Sequence, residues 1–126
     1  MTAQQHLIVS SNYELLYLPH DAIVYAESQG NYSNIFIPGG YNYLVSMQLG
    51  QLEDEIAHQF AQSSGQFIRI GRGLIVNRTY IIHINVRMQQ LTLYDSTSRK
   101  YMLQASQEAL KQLKQLISEE NNNGEF

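Results

Sequence analysis

The chain has 126 residues, no cysteine and a formal net charge of −3, which points to a single globular domain without disulfides or cysteine-bound metal. No run approaches the ~20 apolar residues of a membrane helix, and "MTAQQHLIVSS" lacks the basic head and apolar core of a signal peptide, so the expected location is the cytoplasm. Charge is unevenly divided: residues 1–66 carry −6 with no lysine or arginine, residues 67–118 carry +6, and residues 119–126 carry −3.

The first half reads as short strands separated by turn residues. "HLIVS" (6–10), "YELLYL" (13–18), "AIVYAES" (22–28), "YSNIFI" (32–37) and "YNYLVS" (41–46) are rich in β-branched and aromatic residues. "SN", "PHD", "QGN" and "PGG" punctuate them. Links this short join antiparallel strands, because parallel crossovers need a dozen residues or more. The period then changes. Leu49, Leu52, Ile56 and Phe60 recur at helical spacing, with Glu53, Asp54 and Glu55 turned outward and Ser46 as the expected N-cap. "QSSGQ" (62–66) reads as a loop. Strand patterns return at 67–71, 74–76, 79–86, 89–94 and 99–104, with "DSTS" (95–98) as a hairpin loop. A second helix is expected over 107–118, with Ala109, Leu110, Leu113, Leu116 and Ile117 as its apolar stripe and Lys111 and Lys114 on its wet side. The predicted organisation is one domain over residues 1–118 and a disordered acidic tail over 119–126. The predicted fold class is mainly β: small antiparallel sheets with one helix mid-chain and one C-terminal helix.

Catalytic and cofactor patterns are weak. Gly71-Arg72-Gly73 opens like a dinucleotide fingerprint, but Val76 stands where the third glycine belongs and no helix pattern follows. The four histidines, His6, His20, His58 and His83, are scattered and show no metal-ligand spacing. The expectation is a non-enzyme with no cofactor and no metal. The basic run is the strongest feature: Arg69, Arg72 and Arg78 sit in and around the otherwise apolar "FIRIGRGLIVNRTY".

Together these segments resemble the LytTR DNA-binding domain family. Its Ile-Glu-Ala-x-Gly-Asn-Tyr segment is matched by "YAESQGNY", with Glu27, Gly30, Asn31 and Tyr32 in place. Its Phe-x-Arg-Ile-His-Arg-Ser-Tyr-Leu-Val-Asn signature is matched by Phe67 to Asn77, with Gly71 and Gly73 replacing the usual His and Ser. The family's Leu-Pro-Val-Ser-Arg before the last helix is Leu103-Gln104-Ala105-Ser106-Gln107 here. The resemblance covers about residues 5 to 118.

The resemblance implies loops that enter successive major grooves of double-stranded DNA, in a bacterial transcription regulator. It places Asn31 and Tyr32 on one loop, Arg72 on a second and Gln107 at a third. Arg72 is the expected base reader or phosphate grip. Gln107 can hydrogen-bond adenine but cannot reproduce an arginine–guanine fork. Arg78, Arg99 and Lys100 are expected phosphate contacts. Arg69 faces away from Ile68 and Ile70, toward either a phosphate or an acid. Asn77 reads as a turn former. With roughly four to five phosphate contacts, the log–log salt slope would lie near −4. The family usually appends this domain to a phosphorylated receiver, for which 126 residues leave no room. Control by abundance, a regulatory protein partner or homodimerisation on repeated sites is then expected. The alternative is a protein-interaction module that keeps the fold and has lost DNA binding, favoured by the low net charge, Gly71, Gly73 and Gln107.

Overall fold

The computed structural model describes residues 6–61 and 64–122. Among the described residues, ten strands form three antiparallel sheets. β1 (His6–Ser10) and β2 (Leu15–Pro19) make a two-stranded hairpin. β3 (Tyr25–Gln29), β4 (Tyr32–Phe36), β5 (Asn42–Val45), β6 (Phe67–Ile70) and β7 (Leu74–Asn77) make a five-stranded sheet in the order β5-β4-β3-β7-β6. β8 (Ile81–Asn85), β9 (Gln90–Tyr94) and β10 (Lys100–Gln104) make the third, with a bulge between Ile81 and His83. The helices are α1 (Leu49–Gln59) and α2 (Gln107–Asn122). No described helix is long and apolar enough to cross a membrane.

The five-stranded sheet lies between two cores, which explains its alternation. On one face, Ala26, Ile35, Val45 and Ile75 pack against the hairpin's Leu7 and Leu18 and against Leu49, Leu52 and Ile56 of α1 with its C-cap Phe60. On the other, Tyr25, Ile70 and Val76 pack against Leu91, Leu93, Tyr101 and Leu103 of the third sheet and Leu110 and Leu113 of α2. Successive residues therefore enter opposite cores, as a pleated strand requires. Each fully buried Leu or Ile contributes about 1.5–3 kcal/mol relative to exposure.

Several boundaries differ from the sequence reading. Gln48, not Ser46, is the N-cap of α1. The Gln51 side chain reaches back to accept from the Gln48 N–H at 3.0 Å, so the helix starts where that reciprocal contact forms. Thr79 and Tyr80, expected to open the strand over 79–86, belong instead to a 3-10 turn over Arg78–Tyr80 capped by Asn77, whose side chain accepts from the Thr79 N–H at 3.0 Å. Leu116 is 39% exposed, so it lies at the margin of the stripe. α2 runs to Asn122, into the segment expected as a disordered tail. Gln115 bonds Glu119 one turn on, and Glu120 pairs with Arg78, so residues 119 and 120 have partners that favour helix. Residues 123–126 of that tail, and residues 62 and 63 of the expected loop, lie outside the described residues.

Candidate nucleic-acid interface

Strand register decides which predicted residues meet. Gln29 faces Tyr32 across β3 and β4, leaving Gly30 and Asn31 as a two-residue turn with Gly30 at φ +64°. Ile70 faces Leu74 across β6 and β7, leaving Gly71, Arg72 and Gly73 as a three-residue turn. β3 is antiparallel to β7, with Glu27 opposite Leu74. Both turns therefore emerge at the same end of the sheet. The Ser28 N–H donates to the Gly73 carbonyl at 2.9 Å and ties them together.

Arg72 sits at the middle of its turn, exposed. Gly71 has φ +60°, a left-handed conformation that glycine adopts freely. Gly73 does not have positive φ, so its conformation is open to other residues. The Arg72 carbonyl accepts from Arg69 Nη2 at 3.0 Å, and Arg69 Nη1 donates to Glu53 Oε1 at 2.7 Å. Arg69 thus projects from the α1 side of β6, and an acid holds it. Asn31 Oδ1 accepts from Gln48 Nε2 at 3.2 Å. Tyr32 is 45% exposed beside that turn.

The start of α2 lies at the same end. Ile68–Gly71 share a groove of about 290 Å³ with Ala109, Gln112, Leu113 and Leu116. Ser106 Oγ accepts from the Ala109 N–H at 3.1 Å, which makes Ser106 the N-cap and Gln107 the first helical residue. Gln107 is exposed.

Sequence reasoning missed Arg87. It lies exposed in the turn between β8 and β9. Gln89 of that turn accepts through its carbonyl from the Ala105 N–H at 3.3 Å, beside the link to α2. The signal was available: the expected strands 79–86 and 89–94 leave only Arg87 and Met88 to turn the chain.

Arg78, Arg99 and Lys100 lie elsewhere. Arg78 follows β7 at the far end from Gly73 and forms a two-point pair with Glu120. Arg99 packs against Gly40 in the turn joining β4 to β5: a Cβ on Gly40 would stand 2.4 Å from Arg99 Nε. That turn is separated from Asn31 by β4, about 17 Å of strand. Lys100 follows Arg99 and is exposed. Here the Asp95 carboxylate accepts from the Gly39, Thr97 and Arg99 N–H groups and from the Thr97 and Tyr101 hydroxyls, at 2.6–3.0 Å. Burial pushes this carboxyl up, but those hydrogen bonds outweigh it and hold it well below the usual carboxylate range. Burial and the bond to Asp95 push the Tyr101 phenol up to about 12.

One end of the molecule thus carries two adjoining hairpin tips, a helix start, Arg72 and Arg87, which have no acidic partner among the described residues, and the amides of Gln29, Asn31 and Gln107. Guanidinium groups and amides are the groups that grip phosphates and bond base edges. No group of three or more His, Asp or Glu able to hold a metal occurs among the described residues.

The family model for the LytTr DNA-binding domain matches residues 13–118. The chain therefore belongs to the LytTR DNA-binding domain family. Among solved structures, it is similar to the LytTr DNA-binding domain of a protein described as a methyl-accepting/DNA response regulator from Bacillus cereus. The TM-score is 0.63 at 16% identity, over 91% of this chain and 98% of that one. No curated protein matches.

Proposed function

We propose that this domain binds double-stranded DNA in a sequence-specific manner and acts as a bacterial transcription regulator in the cytoplasm, without catalysis. The turns at Gly30–Asn31 and Gly71–Gly73, with the α2 start at Gln107, enter successive major grooves. Arg72 reads a guanine edge or holds a phosphate, Asn31 and Gln107 offer amides to bases, Tyr32 packs beside them, and Arg87 grips phosphate. Arg78, Arg99 and Lys100 face away from the bound site or meet flanking phosphates only. The observation that carries this reading is the bond from Ser28 to Gly73, which sets two hairpin tips side by side with the exposed Arg72 between its glycines. A homodimer on repeated sites would supply a second such end.

Selection of bound duplexes from a random pool tests it. Enrichment of a defined motif supports the reading. The second reading is an interaction module that has lost DNA binding. It draws on two observations: Arg69 and Arg78 are both tied to acids, and the net charge is −3. A pool that returns without enrichment, from protein shown to be folded, favours it.

A further inference from the structure

The geometry points to helix α1 as a bracket that positions both DNA-facing turns without touching DNA, with Glu53 and Arg69 as positioning residues for Arg72. This deepens the DNA-binding reading and rests on it.

The argument starts from where α1 sends its polar side chains. Its apolar stripe is committed to the core, which leaves Glu53 and the amide nitrogen of the N-cap Gln48 to reach the sheet end. Gln48 Nε2 donates to Asn31 Oδ1 at 3.2 Å, which steadies the first turn. Glu53 Oε1 holds Arg69 Nη1 at 2.7 Å, and Arg69 Nη2 then donates to the Arg72 carbonyl at 3.0 Å, which steadies the second. A guanidinium suits this relay because its planar fork presents separate donors in fixed directions; an ammonium is a single point. Gly71 makes the relay necessary. With φ +60° and no described atom within 4 Å of where a Cβ would stand, the turn has no side-chain packing of its own at that position. The Arg69 bond is the side-chain hydrogen bond that pins the middle of the turn. Arg69 Nε is buried with no acceptor among the described residues, while two other donors of the guanidinium serve Glu53 and the turn.

The rival role for Arg69 is a phosphate contact that Glu53 masks, and the two roles predict opposite signs. Removing a masking acid strengthens DNA binding. Removing a bracket weakens it.

The experiment has two arms. In the DNA-free protein, amide NMR signals of Gly71, Arg72 and Gly73 are followed in Glu53→Ala, Glu53→Gln and Arg69→Lys. Glu53 is 46% exposed at its side chain, and both Glu53 variants are expected to fold. Glu53→Ala and Arg69→Lys shift or broaden the three signals; Glu53→Gln, which keeps an acceptor, changes them less. In the second arm, affinity for the selected duplex is measured across salt. Glu53→Ala and Arg69→Lys lose about three- to tenfold in affinity, the scale of coupling between contacting residues. The salt slope stays at the wild-type value. The bracket is overturned if the turn signals do not respond, if Glu53→Ala binds more tightly than wild type, or if Arg69→Ala shallows the slope by about 0.9, the mark of one lost phosphate. Wild-type protein that selects no duplex overturns the DNA-binding reading instead, while the DNA-free signals still decide whether the bracket exists.

Discussion

Ser28 and Gly73 share one backbone hydrogen bond, 2.9 Å from the Ser28 N–H to the Gly73 carbonyl, and it joins the tips of two hairpins that are distant in sequence. Everything assigned to DNA recognition depends on that adjacency. Because the two ends of the sheet carry different cations, their roles are separable by experiment.

The salt dependence follows from counting cations at the recognition end. Arg69 is held by Glu53, and Arg78, Arg99 and Lys100 lie toward the other end. Arg72 and Arg87 remain, with Lys111 one turn into α2. The log–log slope on a selected duplex should then be about −2 to −3, shallower than the −4 expected from the sequence. Titration at several salt concentrations measures it. A slope of −4 or steeper would bring the far-end cations back into contact.

Asn77 is fully buried and ties two segments of backbone together. Its Nδ2 donates to the Ile23 carbonyl at 2.9 Å while its Oδ1 accepts from the Thr79 N–H. Asn77→Ala should cost about 2–3 kcal/mol, because it leaves buried backbone groups unpaired. Urea denaturation measures the loss, seen as a lower midpoint at unchanged slope.

Asp95 predicts acid sensitivity. Its carboxyl is held below the ordinary value near 3.9 of an unfolded chain. A depressed folded-state value means the stabilisation is full above about pH 4 and is lost progressively as pH falls below that. Tyr101, raised to about 12, has the opposite sense: its contribution is present below about pH 10 and is lost as pH rises toward 12. Thermal unfolding across pH should show both flanks. Asp95→Asn should be less stable at pH 7 and should flatten the acid flank.

The glycines separate by cause. At Gly40, φ is +87° and a Cβ would crowd Arg99, so Gly40→Ala should cost about 1–2 kcal/mol. At Gly71, φ is +60° in open space, a conformation asparagine and histidine tolerate better than most. Gly71→Asn should stay within about 1 kcal/mol of wild type. Melting temperatures of the two variants compare them directly.

Most strands were legible because their apolar runs are short and are closed by Gly, Pro, Asn or Asp. The helix stripe Leu49-Leu52-Ile56-Phe60 was equally clear. What the sequence could not provide was register between distant strands. Asn31 and Arg72 are brought together by β3 pairing with β7, and Arg99 is carried away from them by its packing on Gly40. Neither contact leaves a local signal. Arg69 remained open between phosphate and acid because Glu53, its partner, is sixteen residues earlier on another element. The tail boundary was missed because Glu120 is held by Arg78, a long-range contact that overrides the polar composition of the segment.

The central claim is that DNA meets the end carrying Arg72 and not the end carrying Arg99. The most direct measurement is the affinity of Arg72→Ala and Arg99→Ala for the selected duplex, each with its salt slope. Arg72→Ala should lose about 1–3 kcal/mol, with relaxed preference at one base pair if Arg72 reads guanine. Arg99→Ala should change affinity by less than about 0.5 kcal/mol, as expected of a residue outside the interface. Equal small losses from both, or a larger loss from Arg99→Ala, would contradict the placement of the interface.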